Sequence, residues 1–118
     1  MYRIMCKSKI QRARITGTAL NYEGSIGIDK KIIEAANMFP NEIVKVLNVN
    51  TGARFETYVI EEKANSGSVV LYGPAARLGQ VGDLLIILSS ALAEAKEAQA
   101  LKQKIVYLDG ENRVIVKK

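Results

Sequence analysis

The 118-residue chain contains no histidine and no tryptophan, one cysteine, two prolines and only 6% aromatic residues. Without histidine there is no Ser-His-Asp or Cys-His catalytic pair, no histidine metal site, and no side chain whose ordinary charge changes near neutral pH. Any catalysis must draw its chemistry from elsewhere. The lone Cys6 cannot form an internal disulfide and lacks partners for a zinc or redox motif, so it reads as a small hydrophobe on a strand. Long apolar runs are also missing: the longest, Leu84 to Leu88, is far too short to span a bilayer. Arg3, Lys7 and Lys9 interrupt anything resembling a signal peptide. A cytoplasmic protein, without a membrane segment, is expected.

What is present is ordinary globular usage, with 48% hydrophobic and 25% charged residues, in a length that suits a single domain over residues 1–118. There is no internal repeat, low-complexity tract or linker. The net charge of +5 could attract nucleic acid, an anionic surface or an acidic small substrate. Lys7, Lys9, Arg12 and Arg14 do not form a helical stripe and have no interleaved aromatics, so solvated strand faces and turns account for them more simply than a nucleic-acid surface does.

Strand-like segments dominate the first ninety residues. Arg3 to Ile10 alternates loosely, Ser25 to Ile28 is short, and Glu42 to Val49 is rich in branched apolar residues. Asn50-Thr51-Gly52 supplies turn chemistry before a returning strand, Arg54 to Ile60, and the two together predict a hairpin. In the returning strand the period of two sends Phe55, Thr57 and Val59 to one face and Arg54, Glu56, Tyr58 and Ile60 to the other. A strand over Ser68 to Tyr72 ends at the Gly73-Pro74 turn, and Leu84 to Leu88 reads as a strand buried on both sides. One helix is predicted near Asp29 to Ala36 with Asp29 as N-cap, and a second around Ala91 to Lys102. Ile105 to Leu108 and Val114 to Val116 predict a terminal hairpin that packs back on the domain or joins a neighbouring subunit.

By itself Gly24-Ser25 is a turn, although glycine admits a strained peptide ahead of a hydroxyl nucleophile. Read singly, Arg54 is a surface ion-pair partner of Glu56 or Glu61, Tyr58 packs on the sheet, and Thr57 is a strand former. Gly73-Pro74-Ala75-Ala76 is a small-residue turn whose backbone a ligand could approach; Pro74 offers no N–H, so donors would come from its neighbours.

Taken together, Lys9-Ile10, Asn21-Tyr22-Glu23-Gly24-Ser25-Ile26, Ile28-Asp29, Pro40-Asn41-Glu42, the run from Asn50 to Tyr58, Gly73-Pro74-Ala75-Ala76-Arg77 and Gly82-Asp83 resemble, in order and spacing, the bacterial L-aspartate alpha-decarboxylase family. The resemblance covers residues 1 to about 90. It implies a mainly β fold, a double-psi β-barrel with one or two short helices, assembled as a tetramer. It also implies self-cleavage into a 1–24 chain and a 25–118 chain, in which Ser25 becomes a covalently bound pyruvoyl group and no metal takes part. In that scheme the pyruvoyl ketone forms a Schiff base with L-aspartate, whose decarboxylation gives beta-alanine for pantothenate and coenzyme A synthesis. Gly24, Ser25 and Thr57 match the processing residues, with Thr57 stabilising the oxyanion on the Gly24 carbonyl. Tyr58 matches the proton donor, while Lys9, Arg54, Thr57, Gly73, Pro74 and Ala75 match the substrate-binding residues of a pocket between subunits.

Three positions depart from the family's usual pattern. Gln11 stands where histidine is frequent, Pro74 where alanine is, and Tyr72 where asparagine is. Tyr72 replaces an amide with a bulky phenol near the processing site, which leaves open an unprocessed homologue. A small basic barrel that binds nucleic acid is the alternative from another class.

Overall fold

The computed structural model describes residues 1–116. Its strands are β1 (Tyr2–Arg14), β2 (Gly17–Ala19), β3 (Ser25–Asp29), β4 (Ile43–Asn48), β5 (Arg54–Glu62), β6 (Val69–Tyr72), β7 (Leu84–Glu94), β8 (Lys104–Leu108) and β9 (Val114–Ile115). Two short helices, α1 (Lys30–Ala35) and α2 (Ala95–Ala100), and a 3-10 helix at Gly73–Arg77 complete the described chain. The fold is therefore mainly β with two short α-helices, as the sequence and the family resemblance imply.

The strands pair in the order β2-β6-β3-β5-β4-β7-β1-β8-β9. Strands β1 and β2 are separated in sequence by Ile15 and Thr16 alone, yet β1 lies against β7 and β2 against β6. Between them the chain crosses from one part of the sheet to the other: the Ile15 N–H donates to the Asp83 carbonyl and the Thr16 N–H to the Val69 carbonyl. The ladder thereby returns on itself as a barrel, with parallel pairs β1/β8, β2/β6 and β3/β5 among antiparallel ones.

Registers across this wall define its faces. One row runs Ile10, Ile87, Val46, Phe55, and the next but one runs Ser8, Ser89, Val44, Thr57. On the other side of the barrel Ile26 pairs with Val59 and with Leu71. These alternate positions face inward, and Ile10, Val46, Ile87, Ile26, Val59 and Leu71 are completely buried. The row between, Lys9, Leu88, Lys45 and Glu56, faces out.

Helix α1 forms as the sequence predicts. Asp29 caps it by accepting from the Lys31 N–H at 2.8 Å, and the same carboxylate accepts from the Asn65 and Gly67 N–H groups at 3.0 and 2.9 Å. Three backbone donors on two segments thus converge on one buried carboxylate.

Several expectations change. Strand β1 runs on to Arg14, past a bulge at which Arg12 adopts a φ of 67°. The helix expected over Ala91 to Lys102 is confined to Ala95–Ala100, because β7 extends to Glu94 by pairing Ala91, Leu92 and Ala93 with Met5, Ile4 and Arg3. Available backbone partners on β1 override the helix propensity of that stretch. Leu84 to Leu88 is not sealed on both sides: Leu85 and Ile87 are buried, while Leu84, Ile86 and Leu88 are half-exposed. Gly73-Pro74 opens a 3-10 helix, and the short strand β2 had no signal in the sequence. The terminal hairpin packs back, with β8 parallel to β1.

Candidate active site

The Gly24-Ser25 junction sits where β3 begins, between β6 and β5. Ser25 pairs with Tyr72 of β6 and is only 2% exposed. On the other side β3 runs parallel to β5, with Ile26 beside Val59. Continuing that register by one residue puts Tyr58 beside Ser25, and by two puts Thr57 beside Gly24. Ile26 points into the core, so Ser25 and Gly27 point outward, on the face shared by Tyr72 and by the even-numbered residues of β5 from Arg54 to Glu62. The parity read from the sequence for Arg54 and Tyr58 thus holds, and the fold places Ser25 with them.

Thr57 lies on the opposite, inward face, in the row of Val44 and Ser89.

The Gly73-Pro74-Ala75 segment closes over the junction. Gly73 adopts a φ of 67°, and a Cβ there would lie 2.6 Å from the Tyr22 carbonyl oxygen and 2.8 Å from the Gly24 nitrogen. Only glycine meets both demands. A Cβ on Gly24 would in turn meet the Pro74 ring at 3.3 Å. Ala75 is different, since its side chain belongs to the buried core; of the three, it could face a ligand only through its backbone.

Lys9 and Ser25 are not neighbours in the sheet, since β1 and β3 do not pair. Lys9 lies in the row Lys9, Leu88, Lys45, Glu56, three strands from β5 and four from β3, about 19 Å from Ser25 along the sheet at the usual strand spacing. It shares the outward face with Arg54. Among the described residues neither the Lys9 ammonium nor the Arg54 guanidinium makes an ion pair or hydrogen bond. Arg54 is therefore not the ion-pair partner of Glu56 or Glu61, and Lys9, Lys45 and Arg54 stand on the outward face without an ion pair among the described residues.

Two residues near the junction were missed in the sequence. The Tyr72 hydroxyl donates to Glu62 Oε2 at 2.9 Å, and its ring packs on that of Tyr22 with centroids 4.8 Å apart, tilted by 38°. Burial, then the hydrogen bond and the negative charge of Glu62, push the Tyr72 phenol up to about 12. Glu62 has no local motif, and Tyr22, though within the Asn21 to Ile26 motif, shows nothing there of its ring contact. A usable signal was Gly27, a glycine inside a strand, which marks close approach by a neighbouring group.

These features define a small β-barrel with a Gly-Ser junction and free cations on one outward face. The chain belongs to the aspartate decarboxylase family, whose model matches residues 1–115. It is 50% identical over 115 residues to the aspartate 1-decarboxylase of Thermoanaerobacter pseudethanolicus, covering 98% of each chain. With that of Pelotomaculum thermopropionicum identity is 51%, over 98% of this chain and 87% of the relative, and with that of a Sulfurihydrogenibium species 48%, over 100% and 88%. Among solved structures, the computationally designed msDPBB_sym2 protein aligns with a TM-score of 0.48 at 16% identity, over 75% of this chain and 99% of its own. No helix among the described residues is long and apolar enough to cross a membrane.

Proposed function

We propose that the chain decarboxylates L-aspartate to beta-alanine, using a pyruvoyl group made from its own Ser25. The observation that carries this reading is the placement of Ser25, behind Gly24, on the same outward face as Tyr58 and the unpaired Arg54.

Maturation starts with attack of Ser25 Oγ on the Gly24 carbonyl carbon. The Gly24–Ser25 C–N bond breaks, leaving an ester and a free amine on residue 25. Thr57, beside Gly24 in register, is the hydroxyl donor to the oxyanion of that step, a contribution of roughly 3 kcal/mol for one well-placed donor. Loss of the residue 25 α-proton then expels the Gly24 carboxylate from Cβ. The resulting enamine tautomerises to an imine, which takes up water and releases ammonia, leaving the ketone.

Such a ketone would supply what no ordinary side chain offers, an electron sink for the pair left when carbon dioxide departs from the substrate. The remaining steps fall to the protein. Arg54 grips a carboxylate through its planar fork, and Lys9 supplies the second cation for a dianion. Tyr58, beside residue 25, delivers a proton to the α-carbon after carbon dioxide leaves. Gly73, Pro74 and the Ala75 backbone line the pocket.

Lys9, four strands from Ser25 along the sheet, and Arg54, four residues along β5 from Tyr58, both lie away from Ser25 within one chain, which favours a neighbouring copy contributing to each site. A tetramer with sites between subunits satisfies this. The near-complete burial of Ser25 in the uncut chain fits the same scheme, because scission frees the end at Gly24 and uncovers residue 25.

Intact-mass spectrometry of the denatured protein is the test. Two chains divided between Gly24 and Ser25 are expected, the larger lighter by one ammonia than hydrolysis alone would leave it, with beta-alanine formed from aspartate. Ser25→Ala should stay whole and inactive. A wild-type chain that remains whole, or a fully cut one that makes no beta-alanine, would refute the proposal.

A further inference from the structure

The group formed by Glu62, Tyr72 and Tyr22 has no part in the chemistry above, yet it lies beside the junction. A Cβ on Gly27 would lie 2.2 Å from Glu62 Oε2 and 2.9 Å from the Tyr72 ring. The carboxylate and the phenol therefore lie directly over the Gly27 backbone, on the face of β3 that also carries Ser25. Glycine at 27 is what admits them.

From this anchorage the Tyr72 ring extends to Tyr22, which is 62% exposed and has no other ring contact among the described residues. Tyr22 stands two residues before Gly24, in a stretch without regular structure that ends at the first residue of β3. Its carbonyl and the Gly24 nitrogen are the groups packed against Gly73. The order is thus a carboxylate over Gly27, a phenol hydrogen-bonded to it, a second ring packed on the first, and the scissile segment.

We propose that Tyr72, anchored by Glu62, is a positioning residue for self-cleavage: its ring holds Tyr22 and so fixes the Tyr22–Gly24 backbone for attack by Ser25. This role rests on the self-cleavage reading above and names the part of the chain that controls its rate. An attack through a five-membered ring needs one narrow range of backbone and side-chain torsions around Gly24 and Ser25. Restricting the segment to that range raises the rate in the way any near-attack geometry does. The phenol suits the role because it is a neutral donor at ordinary pH and its hydroxyl donates to the Glu62 carboxylate. In this chain a ring and an anchor replace the amide that is frequent in the family at residue 72.

The test is a time course of cleavage, read by intact mass after pulsed cell-free synthesis, with melting temperature measured on uncut Ser25→Ala backgrounds. Tyr72→Ala and Tyr22→Ala should each slow cleavage, on the order of 10-fold. The double variant should be no slower than either single one, because both remove the same contact. Tyr22→Phe, which keeps the ring, should restore most of the rate. Tyr22 is largely exposed, so its variants keep the barrel even if Tyr72→Ala does not. Unchanged or faster cleavage in Tyr22→Ala, or effects that multiply in the double variant, would overturn the role while leaving self-cleavage intact. An uncut wild-type chain would overturn both.

Discussion

Phe55, Thr57 and Val59 turn toward the interior of the barrel, in rows with Val46, Val44 and Ile26, whereas Arg54, Tyr58 and Glu62 alternate onto the outside. The inner row is closed: Val59 and its neighbours Val44, Val46 and Ile26 have essentially no exposed surface. The outer row is open, and its Arg54 has no partner among the described residues. A single strand therefore contributes apolar burial on one side and an unfinished polar site on the other. Removing a side chain from either face of β5 should expose different properties of the protein.

The largest effect is expected on the outer face. Arg54→Ala removes a charged fork from a substrate carboxylate, which costs about 2–5 kcal/mol when the partner charge is left unpaired. A fall in kcat/KM of about 100-fold, mostly through KM, is expected at unchanged melting temperature and unchanged cleavage. Steady-state kinetics with aspartate and a thermal melt measure both. A large loss of stability in this variant would break the division between the faces.

On the inner face, Val59→Ala deletes two methyl groups from a completely buried site and should cost about 2 kcal/mol of stability. Denaturant unfolding of the uncut Ser25→Ala background measures this. The kinetic constants of the folded, processed Val59→Ala enzyme should change little. A selective loss of kcat would show that the inner face also shapes the site.

Much of this division was legible in the sequence. The alternation from Arg54 to Ile60 alone put Arg54 and Tyr58 together, and Asp29 could be read as a cap from the residues that follow it. Local pattern fails where the partner is distant. Ala91 to Ala93 carry helix-forming residues but pair with β1, ninety residues earlier in the chain, and β2 is too short to show a period. The same limit applies at the site. Glu62 and Tyr72 are ten residues apart on different strands, and nothing near either position announces the hydrogen bond. Ala75 was legible as part of a small-residue turn, but not as a core residue, because a turn has no period from which to read burial.

The smallest expected effect concerns a polar group that, unlike Arg54, has hydrogen-bond partners. Asp83 is buried just before β7 and accepts from Asn48 Nδ2 at 3.0 Å and from the Gln80 N–H at 3.1 Å. The Asn48 hydrogen bond first, and the Gln80 backbone second, hold its carboxyl below the ordinary 3.8. The unfolded chain, with the ordinary value, takes up this proton first as pH falls. The resulting stability is therefore fully present above about pH 4 and is lost as the pH drops through the native value. Asp83→Asn should melt at a lower temperature than the parent at pH 7, and the gap should narrow toward pH 3. Asp109, also held below 3.8 by the Arg113 and Glu111 N–H groups, is present in both proteins and cancels in the comparison. A gap that stays constant with pH would mean that Asp83 contributes through shape alone, and its contrast with the free cations of the outer face would then rest on packing rather than on charge.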